Sequence, residues 1–126
     1  MSRVLIADDE ESMRGLVARA LALDGHDTVT AQDGAEALEI LNSEAGQFDL
    51  LLTDIKMPVM DGIALALAAA RDFPSTTILL MTGYADQRER ASGLSALIHD
   101  VITKPFSLGD IRAAVNAALA ASKVLN

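Results

Sequence analysis

The chain has no cysteine, only three prolines, and only four aromatic residues among its 126: Phe48, Phe73, Tyr84 and Phe106. Without cysteine there is no disulfide framework, no thiolate nucleophile and no Cys-type zinc site. So few rings leave a poor inventory for stacking on nucleic-acid bases, and they require an aliphatic core. Positive charge is also scarce: ten Lys and Arg against eighteen Asp and Glu leave a formal net charge of -8, which argues against a nucleic-acid partner. No basic stretch followed by an apolar segment opens the chain, and no apolar run approaches membrane-spanning length. The expectation is a soluble cytoplasmic protein with no membrane contact.

What is present is apolar and of single-domain size. Hydrophobic residues make up 51% of the chain, enough for a real core, and residues 1–126 read as one domain with no internal repeat, linker or output domain. Charge is unevenly spread. Residues 1–84 hold five basic and fourteen acidic side chains, whereas residues 85–126 hold five basic (Arg88, Arg90, Lys104, Arg112, Lys123) and four acidic. This is either a chance imbalance on a solvated surface or a last third suited to a partner that the acidic remainder would repel.

The run Leu50-Leu51-Leu52-Thr53-Asp54 is too short for an ordinary helix and ends in an acid shortly before Pro58, so it reads as a buried strand over Asp49–Asp54. Arg3–Ala7 is a similar run ending in Asp8-Asp9-Glu10-Glu11. Between them the spacing predicts a helix over Ser12–Leu23, closed by Asp24-Gly25, a strand over His26–Ala31, and a helix from Ala35 to Glu44 entered through Asp33-Gly34. Ile63–Asp72 alternates like a strand, but its five alanines favour helix. Thr76–Thr82 is a further buried strand, Asp86–Ser95 a polar helix interrupted by Gly93, and Ile98–Thr103 a fifth strand running into Lys104-Pro105. Ser107 three residues before Asp110 is a capping pattern for a last helix whose apolar face is Leu108, Ile111, Val115 and Leu119. On the third helix Leu65 and Ala69 lie opposite Ile63, Leu67 and Ala70, which leaves one apolar patch exposed, as compatible with ordinary surface as with a dimer contact. Strands alternating with helices imply right-handed crossovers and an α/β fold with a parallel sheet.

In such a sheet all strand ends lie on one edge. Asp8 and Asp9 then meet Asp54, Thr82 and Lys104 at a single cleft. Taken singly, each is ordinary: an acid at a strand end is usually a turn or cap residue. Four of five strand ends bearing such groups are poorly explained by chance. Three carboxylates in one cleft repel and raise one another's pKa, and a hard divalent cation such as Mg2+ relieves this. Asp54 is then free to attack phosphorus and form an aspartyl phosphate, with the metal, Lys104 and the Thr82 hydroxyl covering the phosphoryl oxygens.

The motifs Leu5-Ile6-Ala7-Asp8-Asp9-Glu10, Leu52-Thr53-Asp54-Ile55-Lys56-Met57-Pro58 with Met60-Asp61-Gly62, Met81-Thr82-Gly83 and Thr103-Lys104-Pro105-Phe106 resemble those of response-regulator receiver domains of two-component signalling, of the stand-alone, chemotaxis-regulator-like type. The resemblance covers nearly all of the chain. It implies a flavodoxin-like three-layer sandwich, with five helices and a five-stranded sheet of order 2-1-3-4-5. It also implies phosphorylation of Asp54 by a histidine kinase or phosphotransfer protein. Asp9, Asp54 and the backbone carbonyl of Lys56 would bind Mg2+, with Asp8 acting through water, while Thr82 and Lys104 sense and pair with the phosphoryl group. The Lys104-Pro105 bond is expected to be cis.

The family's strand-five aromatic is replaced here by Val101, while Tyr84 follows Thr82-Gly83 as in some stand-alone alphaproteobacterial receivers. Val101 is too small to act as a rotating switch. Tyr84 takes its place as the switch candidate, moving between the cleft mouth and the surface near Arg88, or else it only shields the aspartyl phosphate. The output implied is phosphorylation-dependent binding of a protein target by a monomer or weak homodimer, with a phosphorelay intermediate or phosphate sink as the alternative. No enzymatic turnover is expected beyond the domain's own phosphorylation and autodephosphorylation. A haloacid-dehalogenase-like phosphohydrolase would place a second Asp two residues after the nucleophile, where Lys56 stands. A flavin or dinucleotide binder would need a glycine-rich loop after the first strand, and none is there.

Overall fold

Strands that are apolar at every position need cover on both faces, and the central strands of this chain are of that kind. The computed structural model describes residues 2–45 and 47–125. Its strands are β1 (Arg3–Ala7), β2 (Asp27–Ala31), β3 (Leu50–Asp54), β4 (Thr77–Thr82) and β5 (Asp100–Thr103). Its helices are α1 (Glu11–Leu23), α2 (Gly34–Ser43), α3 (Gly62–Asp72), α4 (Ala85–Ser92) and α5 (Leu108–Leu125). All strand pairs are parallel, in the order β2-β1-β3-β4-β5.

The period-2 alternation of side chains splits each central strand between two cores. Leu5, Ala7, Leu51, Ile78 and Leu80 pack with Ala37 and Leu41 of α2, Leu65, Ala66 and Ala69 of α3, and Ala91 of α4. Val4, Ile6, Leu50, Leu52, Leu79 and Met81 face the other way, onto Val17, Ala20 and Leu21 of α1 and Ile111, Val115, Ala118 and Leu119 of α5. The result is the expected three-layer sandwich, with the edge strands β2 and β5 the least buried.

Helix starts follow their caps. Asp33 accepts from the Glu36 amide at 2.8 Å and Asp61 from the Ala64 amide at 2.9 Å. Ser107 and Asp110 form a reciprocal box at the head of α5. Gly25, with φ of 80°, takes the left-handed turn out of α1 that a side chain would resist.

Most element starts move by one residue from their expected places while most ends stay, and two larger moves have a clear cause. The fifth strand begins at Asp100 rather than Ile98, because the Leu97 and Ile98 amides are taken by the Leu94 carbonyl in a turn. Likewise α4 ends at Ser92, not Ser95, with Gly93 as its C-cap. Leu108 is a correction: it is 41% exposed and does not join the inner face of α5. On α3, Leu65 and Ala69 are buried while Leu67 is exposed, and Ile63 and Ala70 are half-covered.

Candidate functional site

Strand register brings the chemistry together. Ala7 pairs with Thr53, Asp54 with Met81 and Thr82 with Thr103, so Asp8, Asp54, Thr82 and Lys104 emerge along one edge. The ladders run on past the strands, with the Ile55 amide on the Met81 carbonyl at 3.1 Å and the Lys104 amide on the Thr82 carbonyl at 2.8 Å. Gly62 is required here: a Cβ would lie 2.1 Å from the Asp54 carbonyl oxygen, where the loop after β3 folds back onto the strand end.

Asp8 is fully buried and held on all sides. Its amide donates to the Ala31 carbonyl, Oδ1 accepts from the Glu10 amide at 3.0 Å, and Oδ2 accepts from Lys104 Nζ at 3.0 Å. The same ammonium lies 3.4 Å from Asp54 Oδ1. Asp8, Asp9 and Asp54 each offer a carboxylate oxygen, all within 4.8 Å of one another. A cleft of about 430 Å³ opens over them, lined by Asp9, Glu10, Asp54, Lys56, Tyr84 and Lys104 among others. A larger hollow of about 640 Å³ lies around the start of β4, among residues such as Thr77, Leu97, His99 and Ala118, but its lining includes no carboxylate.

Burial is the main force on Asp54 and pushes its pKa up to about 6; the Asp8 charge adds to this, and Lys104 opposes it. Mutual repulsion of the carboxylates, the expected cause, is therefore secondary to desolvation. For Lys104 burial works against the charge, but its hydrogen bond to Asp8 and the charges of Asp54 and Asp8 outweigh it, and the pKa is raised. Near neutral pH the cleft thus presents an ionised, comparatively basic carboxylate beside a firmly charged ammonium.

Thr82 is buried behind Gly83 and Tyr84 of the cleft lining, and its Oγ1 accepts the Tyr84 amide at 3.1 Å, a bond that does not use the hydroxyl proton. Tyr84 is 52% exposed at the cleft mouth, with Lys56 Nζ 4.8 Å from its ring centroid. Arg88 reaches instead to β5, donating to the Val101 carbonyl and the Thr103 hydroxyl. Val101 is half-buried against the core. The Lys104-Pro105 bond is cis.

Residues 4–116 match the family model described as the response regulator receiver domain. The chain belongs to that family. As a receiver domain of two-component signalling it is 39% identical over 111 residues to the response regulator receiver protein CpdR of Brucella abortus, covering 88% of this chain and 91% of that one. It is 34% identical to the alkaline phosphatase synthesis transcriptional regulatory protein PhoP of Bacillus subtilis, over 97% of this chain and 50% of PhoP. The receiver spans about half the length of the first curated relatives it matches. Among solved structures, the response regulator TrrA of Thermotoga maritima in complex with Mg(2+)-BeF superposes with a TM-score of 0.82, at 30% identity, covering 94% of this chain and 99% of that one.

The receiver fold thus gathers Asp8, Asp9, Asp54, Thr82, Lys104, Lys56 and Tyr84 about one cleft and leaves Val101 outside its lining. Two contributors escaped sequence reasoning. Glu10 lines the cleft, although the run of acids after β1 could have suggested it. Arg14 donates to the Asp8 carbonyl at 2.7 Å, a contact with no local sequence signal.

Proposed function

We propose that this receiver accepts a phosphoryl group on Asp54 from a histidine of a kinase or phosphotransfer protein, with a divalent cation bound, and signals by protein–protein contact. An Asp54 carboxylate oxygen attacks phosphorus, so that an O–P bond forms as the N–P bond of the donor breaks and the imidazole leaves. Lys104 pairs with the phosphoryl oxygens as they turn toward it, and the Thr82 hydroxyl donates to another. The raised pKa suits the role, since a more basic carboxylate is a better nucleophile yet is still ionised at neutral pH.

The donor set fits Mg2+: three anionic oxygens close together, too few to enclose a cation and therefore leaving room for water and phosphate oxygens. Asp9 and Asp54 would hold it, with the Lys56 carbonyl, while Asp8 acts through water. When bound, the ion supplies positive charge against the phosphoryl oxygens.

The observation that carries this reading is a single ammonium, Lys104 Nζ, shared between the fully buried Asp8 carboxylate and the Asp54 carboxylate, itself buried but lining an open cleft. A purely structural ion pair would need neither the cleft nor the third carboxylate. Turnover of external substrates is not part of the proposal, because Lys56 occupies the position of a phosphohydrolase's general acid. The net charge of -8 supports a protein rather than a nucleic acid as the partner of these residues. Asp54→Asn tests the assignment. Incubated with acetyl phosphate and Mg2+, the variant should show no acid-labile phosphorylation, since an amide is no nucleophile; labelling equal to wild type would sink it.

A further inference from the structure

Four consecutive acids, Asp8, Asp9, Glu10 and Glu11, lead from β1 into α1. Two of them must be held at one cleft against their mutual repulsion; the Glu10 amide at the N-cap of α1 holds the Asp8 side chain, but Glu10 makes no side-chain capping bond and, among the described residues, no such bond holds Asp9. Arg14 then stands at the end of the first turn of α1, where the helix dipole disfavours a cation. A residue placed against a local rule calls for a compensating role.

That role is visible in the one side-chain hydrogen bond it makes among the described residues. Arg14 Nη1 donates to the backbone carbonyl of Asp8 at 2.7 Å, six residues back and past the helix start. Among the described residues Arg14 forms no salt bridge, so its guanidinium is directed at the backbone of the acidic loop rather than at a carboxylate. With the Asp8 amide on Ala31 and its side chain on Glu10 and Lys104, this bond fixes the remaining polar group of Asp8. The carbonyl belongs to the planar Asp8–Asp9 peptide, so fixing its direction fixes the point from which Asp9 departs.

We propose that Arg14 is a positioning residue for the cation site: by holding the Asp8 carbonyl it orients the Asp8–Asp9 peptide and presents the Asp9 carboxylate beside Asp8 and Asp54. This rests on the reading of the three carboxylates as a divalent-cation site. The competing account makes Arg14 a mere nearby positive charge that softens repulsion among the acids, and it has the opposite sign. A bare charge repels Mg2+, so removing it would tighten binding; loss of a positioning contact outside the metal's own ligands weakens it, by about tenfold or more.

Calorimetric Mg2+ titration of wild type, Arg14→Gln and Arg14→Lys decides between them. Binding about tenfold weaker in Arg14→Gln, and largely restored in Arg14→Lys, whose ammonium can reach the same carbonyl, is the expected result. Equal or tighter binding by Arg14→Gln overturns the inference while leaving the proposed function standing; no binding by the wild-type protein overturns both. In the metal-free protein, Arg14→Gln should also shift the Asp9 amide resonance and leave those of Thr82 and Lys104 in place. An unmoved Asp9 resonance counts against the proposal whatever the variant's stability.

Discussion

Asp54 is asked to be both buried and charged. As the last residue of a fully covered strand it loses water, and this lifts its pKa from the ordinary 3.8 to about 6 despite Lys104. The metal-free folded protein therefore holds a proton on Asp54 more tightly than the unfolded chain does. Between about pH 4 and 6 the folded state carries more protons, so this group's contribution falls as pH rises; above that window the full cost remains, up to about 3 kcal/mol. Asp54→Asn removes the cost. The variant should unfold at a higher denaturant concentration than wild type at about pH 7.5 without metal, and the gain should shrink to a small remainder near about pH 4 and vanish below about pH 3, where both states protonate Asp54. A gain that persists unchanged at the lower pH would mean that charge burial is not its source. Val59, with φ of 69° and 84% exposure, takes a left-handed backbone conformation that its β-branched side chain disfavours, directly beyond the Lys56-Met57-Pro58 segment.

Elements declared themselves where local chemistry and global fold agree. At the head of α5 the Ser107 hydroxyl accepts the Asp110 amide at 3.0 Å, and Asp110 returns the bond to the Ser107 amide at 3.1 Å. Ser107→Ala should cost about 1 kcal/mol in urea unfolding, whereas Ser107→Asp should cost little; equal losses would show that the cap is idle. This box, the entry into α2 through Asp33 and the five strand runs were all legible because each depends on neighbours within a few residues, whereas Asp61, read as part of a loop, is the N-cap of α3. The strand-end acids were legible for another reason, since a parallel sheet sends every such end to one edge. Illegible features depend on tertiary contact. Ile98 looks like strand but is held in a turn by Leu94 while its side chain packs on the core, and Leu108 has helical spacing yet sits on the exposed first turn. Arg14 and Arg112 show nothing locally, because their partners Asp8 and Asp24 come within reach only once α1 is docked on the sheet and α5 is packed beside it.

Across the whole molecule, the charge imbalance resolves into internal pairing. Arg90 meets Asp61, Lys104 meets Asp8 and Asp54, and Arg112 makes a two-pronged contact with Asp24 that Asn116 also joins, so three of the five cations in the last third pair with acids of the first part. Arg88 is used on β5, and the Lys123 side chain lies outside what the structure describes. The acids of the cleft remain in excess of their cation, and on the proposed reading of that cleft Mg2+ would be a ligand of the folded state alone. At about a hundredfold excess over its Kd, the ion should stabilise the wild-type protein by about 2.7 kcal/mol. Any salt relieves the repulsion within a chain of net charge -8, so the comparison belongs against Na+ at equal ionic strength. Asp9→Ala should lose most of the Mg2+-specific gain, because it removes the exposed carboxylate of the cluster without disturbing the buried Asp8–Lys104 pair. Glu39→Ala, which deletes an exposed acid on α2 away from the cleft, should keep it. If the two variants lose the gain equally, Mg2+ acts on the net charge of the surface and not at the strand ends.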